Sequence, residues 1–229
     1  MTWSEYWNGE TTIYVNARHK SVHYEKIARD LVACLPGADA RVVDYGCGDA
    51  QSAHLVADAC ARLFLCESAE NARRRLAGRY AGRSDIDIIS VEQFEALARA
   101  SVDMIVANSV IQYLSPSDFA RFLAVSRDKL SPGGQLLLAD VIPRDIGVIQ
   151  DAAELMKFAA ANGFLLAAGA GLVRSFFSNY RHVRQQLGLL QFDEAEILSL
   201  LDQAGFVAHR RYPNIGHNPR RMSFTATPR

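Results

Sequence analysis

The sequence has little with which to staple a fold, coat nucleic acid or cross a membrane. Four cysteines occur in 229 residues, Cys34, Cys47, Cys60 and Cys66, and none forms a C-x-x-C pair. That pattern argues against a disulfide framework and a thiolate zinc site, so no metal is expected and a reducing, cytoplasmic location is. Neither sign of charge is in excess: Lys+Arg and Asp+Glu both number 25. A broad nucleic-acid footprint needs a basic surplus and is not expected. The one basic run, Arg73-Arg74-Arg75, reads as a solvated helix face. Long hydrophobic runs are also missing. Phe158 to Val173 is interrupted by Asn162 and by glycines, and it falls short of the roughly 20 residues of a membrane span. The first seven residues, Met-Thr-Trp-Ser-Glu-Tyr-Trp, carry an acid and no basic flank, unlike a secretory signal. No internal repeat or low-complexity segment is present.

What is there suits one large domain with a buried core. The chain is 49% hydrophobic and 22% charged. His19 to Leu35 places Val22, Ile27, Leu31 and Leu35 near one helical face, and Pro36-Gly37 stops it. Strands are expected at Arg41 to Tyr45, Arg62 to Cys66, Ile86 to Ser90, Met104 to Ala107 and Gln135 to Asp140. Helices are expected from Gln51 to Cys60, Ala69 to Tyr80 and Val91 to Arg99, and another opens at Ser115-Pro116-Ser117-Asp118. Pro132-Gly133-Gly134 reads as a turn. This alternation implies a parallel sheet with helices on both faces. The rhythm then breaks: residues 144–191 read as two or three helices. A capped helix from Phe192 to Ala204 follows, then two strands, Phe206 to Tyr212 and Met222 to Thr227, that close one edge of the sheet.

The chemistry centres on Arg41-Val42-Val43-Asp44-Tyr45-Gly46-Cys47-Gly48-Asp49-Ala50. A buried strand runs into a glycine turn and then a helix, whose free N–H groups point back at the turn. Glycine lets a ligand approach the backbone. Asp44, two residues before the first glycine, can reach into a cofactor site from the strand end. Glu67, at the end of the second strand, is placed to accept hydrogen bonds from both ribose hydroxyls. A dinucleotide turn prefers a third glycine where Gln51 stands, which disfavours an NAD-dependent oxidoreductase.

On these residues the chain resembles a class I S-adenosylmethionine-dependent methyltransferase of the small-molecule type. The first motif is Val42 to Ala50 and the acidic second is Glu67. Ile88-Ile89-Ser90-Val91 fits the third motif, Asp103 to Leu114 the fourth and Leu130 to Leu138 the fifth. The likeness is strongest over residues 36–142. Two departures are Ala50, where many members carry a third glycine, and the absence of an acid in the third motif. The resemblance implies a Rossmann-like, doubly wound, seven-stranded α/β sheet, mostly parallel with an antiparallel last strand, helices on both faces and a helical cap. It implies one methyltransferase domain over residues 1–229, with residues 1–35 as an N-terminal cap and 144–191 as a substrate lid. The cofactor would be S-adenosylmethionine and its product S-adenosylhomocysteine. Asp44, Gly46, Cys47 and Gly48 would meet the methionine part and Glu67 the ribose. Cys66, Ser68, Ser90 and Val91 would flank the adenine, and Asn108, Ser109 and Tyr113 would lie near the methionine and the methyl face.

Methyl transfer from a sulfonium needs alignment of the acceptor more than a nucleophile or a metal. If the acceptor is a hydroxyl, a base helps, and histidine is the usual one. Catalytic candidates are Tyr14, His19, His23 and His182. Substrate candidates are Tyr14, Arg174, Phe177, Tyr180 and Arg181. His209 and His217 are read as structural. The expected partner is a small-molecule acceptor, with the protein a monomer or a homodimer. A macromolecular acceptor such as a cell-surface sugar or a tRNA, or a non-catalytic cofactor-binding protein, are the alternatives.

Overall fold

Val42 and Val43 are adjacent in sequence and belong to different cores. In the computed structural model, which describes residues 14–176 and 189–229, both lie on β1 (Arg41–Tyr45). Successive strand side chains point to opposite faces. On the side of Val43, the core is filled by Phe94 of α4 (Val91–Glu95), Phe119 and Phe122 of α5 (Pro116–Lys129), and Ile197 and Leu201 of α8 (Glu194–Gln203). On the side of Val42 it is filled by Ala28 and Leu31 of α1 (Ala17–Val32), Val56 of α2 (Ala53–Ala57) and Leu76 of α3 (Glu70–Arg79). Burying each such Leu, Ile or Phe contributes about 1.5–3 kcal/mol.

The remaining strands are β2 (Arg62–Cys66), β3 (Ile86–Ile89), β4 (Val102–Asn108), β5 (Leu130–Val141), β6 (Phe206–Arg211) and β7 (Met222–Pro228). Their order across the sheet is β3-β2-β1-β4-β5-β7-β6, and β7 runs antiparallel to both its neighbours. The order reverses between β1 and β4, the switch point at which ligands bind in such sheets. The expected seven-stranded, doubly wound architecture is therefore the observed one.

Two local expectations are corrected. The segment 132–134 is not a turn between separate elements. β5 begins at Leu130, and between the pairs Val102↔Leu130 and Met104↔Gln135 it carries three more residues than β4, looped outward, with the Ser131 hydroxyl donating to Asp103 at 2.7 Å. The helix after the glycine turn is also shorter than the expected span to Cys60. Ala50 takes a left-handed conformation (φ 35°), so the turn continues through Ser52 before α2 starts. Tyr80 straps this turn: its hydroxyl accepts from the Ala53 N–H at 3.1 Å and donates to the Ala50 carbonyl.

Within the expected insertion lie α6 (Val148–Asn162) and α7 (Leu165–Phe176), joined by a left-handed Gly163 (φ 73°). Phe164, Ala159 and Ala168 pack with Val15, Val22 and Phe158, which docks this helical hairpin on α1. No described helix is long and apolar enough to cross a membrane.

Candidate cofactor and acceptor site

A cavity of about 1030 Å³ opens at the carboxyl ends of β1, β2, β4 and β5. Its floor is the glycine turn. Gly46 has φ 71°, and a Cβ there would come within 2.5 Å of the Val110 side chain. Only glycine fits that conformation and that space. The turn is bound to the end of β2, where the N–H groups of Gly46 and Cys47 both donate to the Cys66 carbonyl, at 2.8 and 3.2 Å.

Glu67 closes one wall. It is buried, and its carboxylate accepts from the Gly48 N–H (2.9 Å) and the Ala69 N–H (2.9 Å). These bonds lock the side chain across the turn, so a carboxylate faces the cavity in one orientation. Asp44 enters from the end of β1. Burial pushes its carboxyl up to about 7, and the charge of Glu67 adds to the shift. A group poised there welcomes a cation, because an incoming positive charge relieves both causes.

α1 covers the turn from above. The Tyr24 hydroxyl accepts from the Asp49 N–H at 3.1 Å, and Asp49 is paired with Lys20 and Arg75. Beyond the turn the wall carries unmatched polar atoms: Asn108 Oδ1 and Gln112 Oε1 are buried without a hydrogen-bond partner. Native structures leave few such atoms, and on a cavity wall each is available to a ligand or a water. Two residues at the strand ends are strained. Ser109 (φ 57°) and Asp140 (φ 56°) are both left-handed, and the Ser109 hydroxyl donates to Asp140 at 2.7 Å. Asp140 sits on a β-bulge, where β5 has one residue more than β7 between the pairs Leu138↔Phe224 and Val141↔Met222. The bulge turns its side chain toward the cavity.

A family model described as a methyltransferase domain matches residues 43–136, the stretch that builds this floor and wall. These residues match a methyltransferase domain, and the sheet that they build has the class I fold. The solved structures similar to it agree in fold. One is the complex between the Haloferax volcanii Trm112 methyltransferase activator and a putative methyltransferase, 13% identical with a TM-score of 0.63, matched over 100% of this chain and 99% of that one. Another is magnesium protoporphyrin IX methyltransferase from Synechocystis with bound SAH, 16% identical with a TM-score of 0.59, over 98% and 92%. A third is Haemonchus contortus phosphoethanolamine N-methyltransferase 1, 21% identical with a TM-score of 0.51; the match covers 61% of this chain, which spans 31% of that one. No curated protein matches the chain.

The fold brings most of the expected cofactor residues together. Asp44, Gly46, Cys47, Gly48, Glu67, Ser68, Val91, Asn108, Ser109 and Tyr113 all line the cavity. Ser90 does not. It caps α4, where its hydroxyl accepts from the Gln93 N–H (3.3 Å) and bonds Glu92 (2.6 Å). The histidines of α1 divide. His23 lines the cavity beside Tyr14, ring centroids 5.4 Å apart. His19 is packed away: it is 5% exposed, stacked on Phe164 at 4.9 Å, and its Nδ1 accepts from the Val15 N–H at 3.3 Å. With that nitrogen occupied and the ring buried, His19 packs against the hairpin and, unlike the other α1 candidate, does not line the cavity. Arg174 lies on α7, while Phe177, Tyr180, Arg181 and His182 lie outside the described residues.

Asp140, His217 and Arg221 line the cavity and were not singled out as site residues in the sequence. His217, read there as structural, comes from the loop between β6 and β7. The signal available was a nine-residue connection holding two asparagines and two prolines, too long for a hairpin.

Proposed function

We propose that this protein transfers a methyl group from S-adenosylmethionine to a small-molecule acceptor, and that residues 144–191 act as a lid over that acceptor. The observation that carries the reading is the paired arrangement at the glycine turn. Glu67 is locked by two backbone N–H groups, Asp44 is raised and receptive to a cation, and both face a cavity floored by Gly46 and Gly48. These residues suit the cofactor: Glu67 for a ribose, Asp44 for an ammonium, and the orphaned Asn108 oxygen for a donor. When bound, S-adenosylmethionine supplies an activated methyl group. The chain's own residues hold it, orient the acceptor and exclude water.

A small acceptor is favoured over a macromolecule by size and by charge. Single small-ligand pockets run to about 1,000 Å³. A cavity of about 1030 Å³, lined in part by α1 and by Leu189 and Leu190, has room for the cofactor and a second small molecule. The net charge of zero offers no long-range attraction for RNA. Calorimetry with S-adenosylmethionine and with NAD tests the cofactor: binding of NAD in place of S-adenosylmethionine would overturn the reading. Labelled cofactor incubated with cell extract split by ultrafiltration tests the acceptor. Label confined to the retained macromolecules would move the assignment to a nucleic acid, protein or polysaccharide.

A further inference from the structure

We propose that His217 is the general base of the reaction and that the acceptor is a neutral, hydroxyl-bearing aromatic compound; this rests on the methyltransferase reading above. His217 is delivered by residues 213–221, a loop held by buried polar side chains. Asn214, 5% exposed, donates to the carbonyls of Ile215 (2.8 Å) and Asn218 (3.0 Å) and accepts from the Ser223 hydroxyl (2.7 Å) and the Asp140 N–H (3.1 Å). Asn218 donates to Asp151 at 2.8 Å, and the Gly216 N–H donates to Asp30 at 2.9 Å. A loop fixed at both its ends and its middle is a preorganised support, and its one cavity-facing imidazole is stacked on Phe158 at 4.8 Å.

Neither ring nitrogen of His217 hydrogen-bonds a described residue, which leaves both open to a ligand. Opposite it stands His23, ring centroids 5.7 Å apart, whose Nδ1 is buried without a partner. The groups facing His217 are His19 and His23 of α1, Asp140 of β5, Asp151 and Glu154 of α6, and Arg221 of its own loop. Burial and the neighbouring Arg221 hold its imidazole below the ordinary value against the opposing pull of Asp140, so the ring is neutral at pH 7 and able to take a proton. Every carboxylate in the group is already matched. Asp140 has Ser109 and Arg221, Asp151 has Arg221 and Asn218, and Glu154 has Lys157 and Arg220. None is left to receive an ammonium, which disfavours a charged amine acceptor. Tyr14 packs beside His23 at 5.4 Å, and Tyr113, Ile142 and Leu190 line the same cavity, aromatic and apolar surfaces suited to a flat ring.

In the step, the acceptor oxygen forms a bond to the methyl carbon as the carbon–sulfur bond breaks and its electron pair stays on sulfur. The O–H proton passes to His217, which later releases it to solvent. The test compares wild type with His217→Gln. First, S-adenosylmethionine binds both with equal affinity by calorimetry; no binding to wild type would sink the cofactor reading instead of this one. Second, 4-nitrophenol added to the S-adenosylhomocysteine complex shifts the His217 imidazole resonance and binds His217→Gln at least about 5-fold more weakly. An unmoved resonance overturns the proposal. Third, in a panel of phenols with labelled cofactor, His217→Gln loses on the order of 100-fold in kcat on unactivated phenols, and far less on 4-nitrophenol, which is already ionised at about pH 8. Equal losses on both, an unchanged rate, or no methylated phenol in the panel despite cofactor binding would each refute it.

Discussion

Asp44 makes a prediction with a definite sign. Its carboxyl is pushed up to about 7 by burial and by Glu67, while an unfolded aspartate titrates near 3.9. The cofactor's ammonium needs the ionised form. Protonation competes with binding, so the Asp44 contribution to affinity is nearly full by about pH 8, is halved at pH 7 and is lost as pH falls further. Taking 7 as the midpoint, the weakening factor is about 1.1 at pH 8, 2 at pH 7 and 11 at pH 6, or about 1.4 kcal/mol between pH 8 and 6. Binding at pH 6 therefore releases about 0.9 proton from Asp44. Calorimetry in two buffers of different ionisation enthalpy reads that number directly. An α-amino group loses its own proton near 7.7–8.0, so affinity declines again on the alkaline side, and that limb persists in Asp44→Asn while the acid limb disappears. The free protein responds in the opposite sense. A raised carboxyl means the folded state holds the proton more tightly than the unfolded one, so stability falls as pH rises from about 4 to 7. Asp44→Asn removes that loss, giving a variant that melts higher at pH 8 and binds the cofactor more weakly. Wild-type affinity that is flat from pH 6 to 8, with no proton release at pH 6, would refute the placement of a raised carboxylate against the cofactor's charge.

Glu67→Ala leaves the Gly48 and Ala69 N–H groups without their acceptor. It is expected to cost about 1–3 kcal/mol in urea unfolding and at least tenfold in S-adenosylmethionine affinity; unchanged affinity would remove Glu67 from the site. Gly46→Ala forces a Cβ to within 2.5 Å of Val110 at φ 71°, and should abolish cofactor binding while Gly133→Ala, with open space around it, does not. Ala50→Gly relieves a left-handed alanine and should raise the melting temperature or leave it unchanged, although glycine normally destabilises. Phe164→Ala removes the ring on which His19 stacks and should cost about 3 kcal/mol, with His19 becoming reactive to an imidazole reagent; equal protection of His19 in the variant would deny its packing role.

Sequence by itself determined the sheet, the turn and the residues that floor the cavity and wall it at the ends of β1 and β2. Val42-Val43, Leu63 to Cys66 and Met104 to Ala107 are apolar runs long enough for strands buried on both faces, and their alternation with helices leaves one economical topology. Asp44, Gly46, Gly48 and Glu67 were legible because their spacing to the strand ends is local: a strand of known rise delivers its terminal residues to one edge. The sequence also showed Ser115-Pro116 as a helix start, and the structure has it there, with Ser115 accepting from the Asp118 N–H at 3.1 Å. On the opposite wall of the cavity Tyr14 and His23 were legible and His217 and Arg221 were not, because that wall joins segments about 200 residues apart. His19 and His23 lie one helical turn apart and look alike in sequence. Only the docking of Phe164 from the hairpin buries one, and only the loop at 213–221 sets His217 closer to the other, 5.7 against 6.5 Å between ring centroids. Asp140 reads as the end of a strand, and a single extra residue in its register against β7 is what turns it into the cavity. Local periodicity cannot encode which of two neighbouring imidazoles another segment will cover, since that depends on packing between elements distant in the chain.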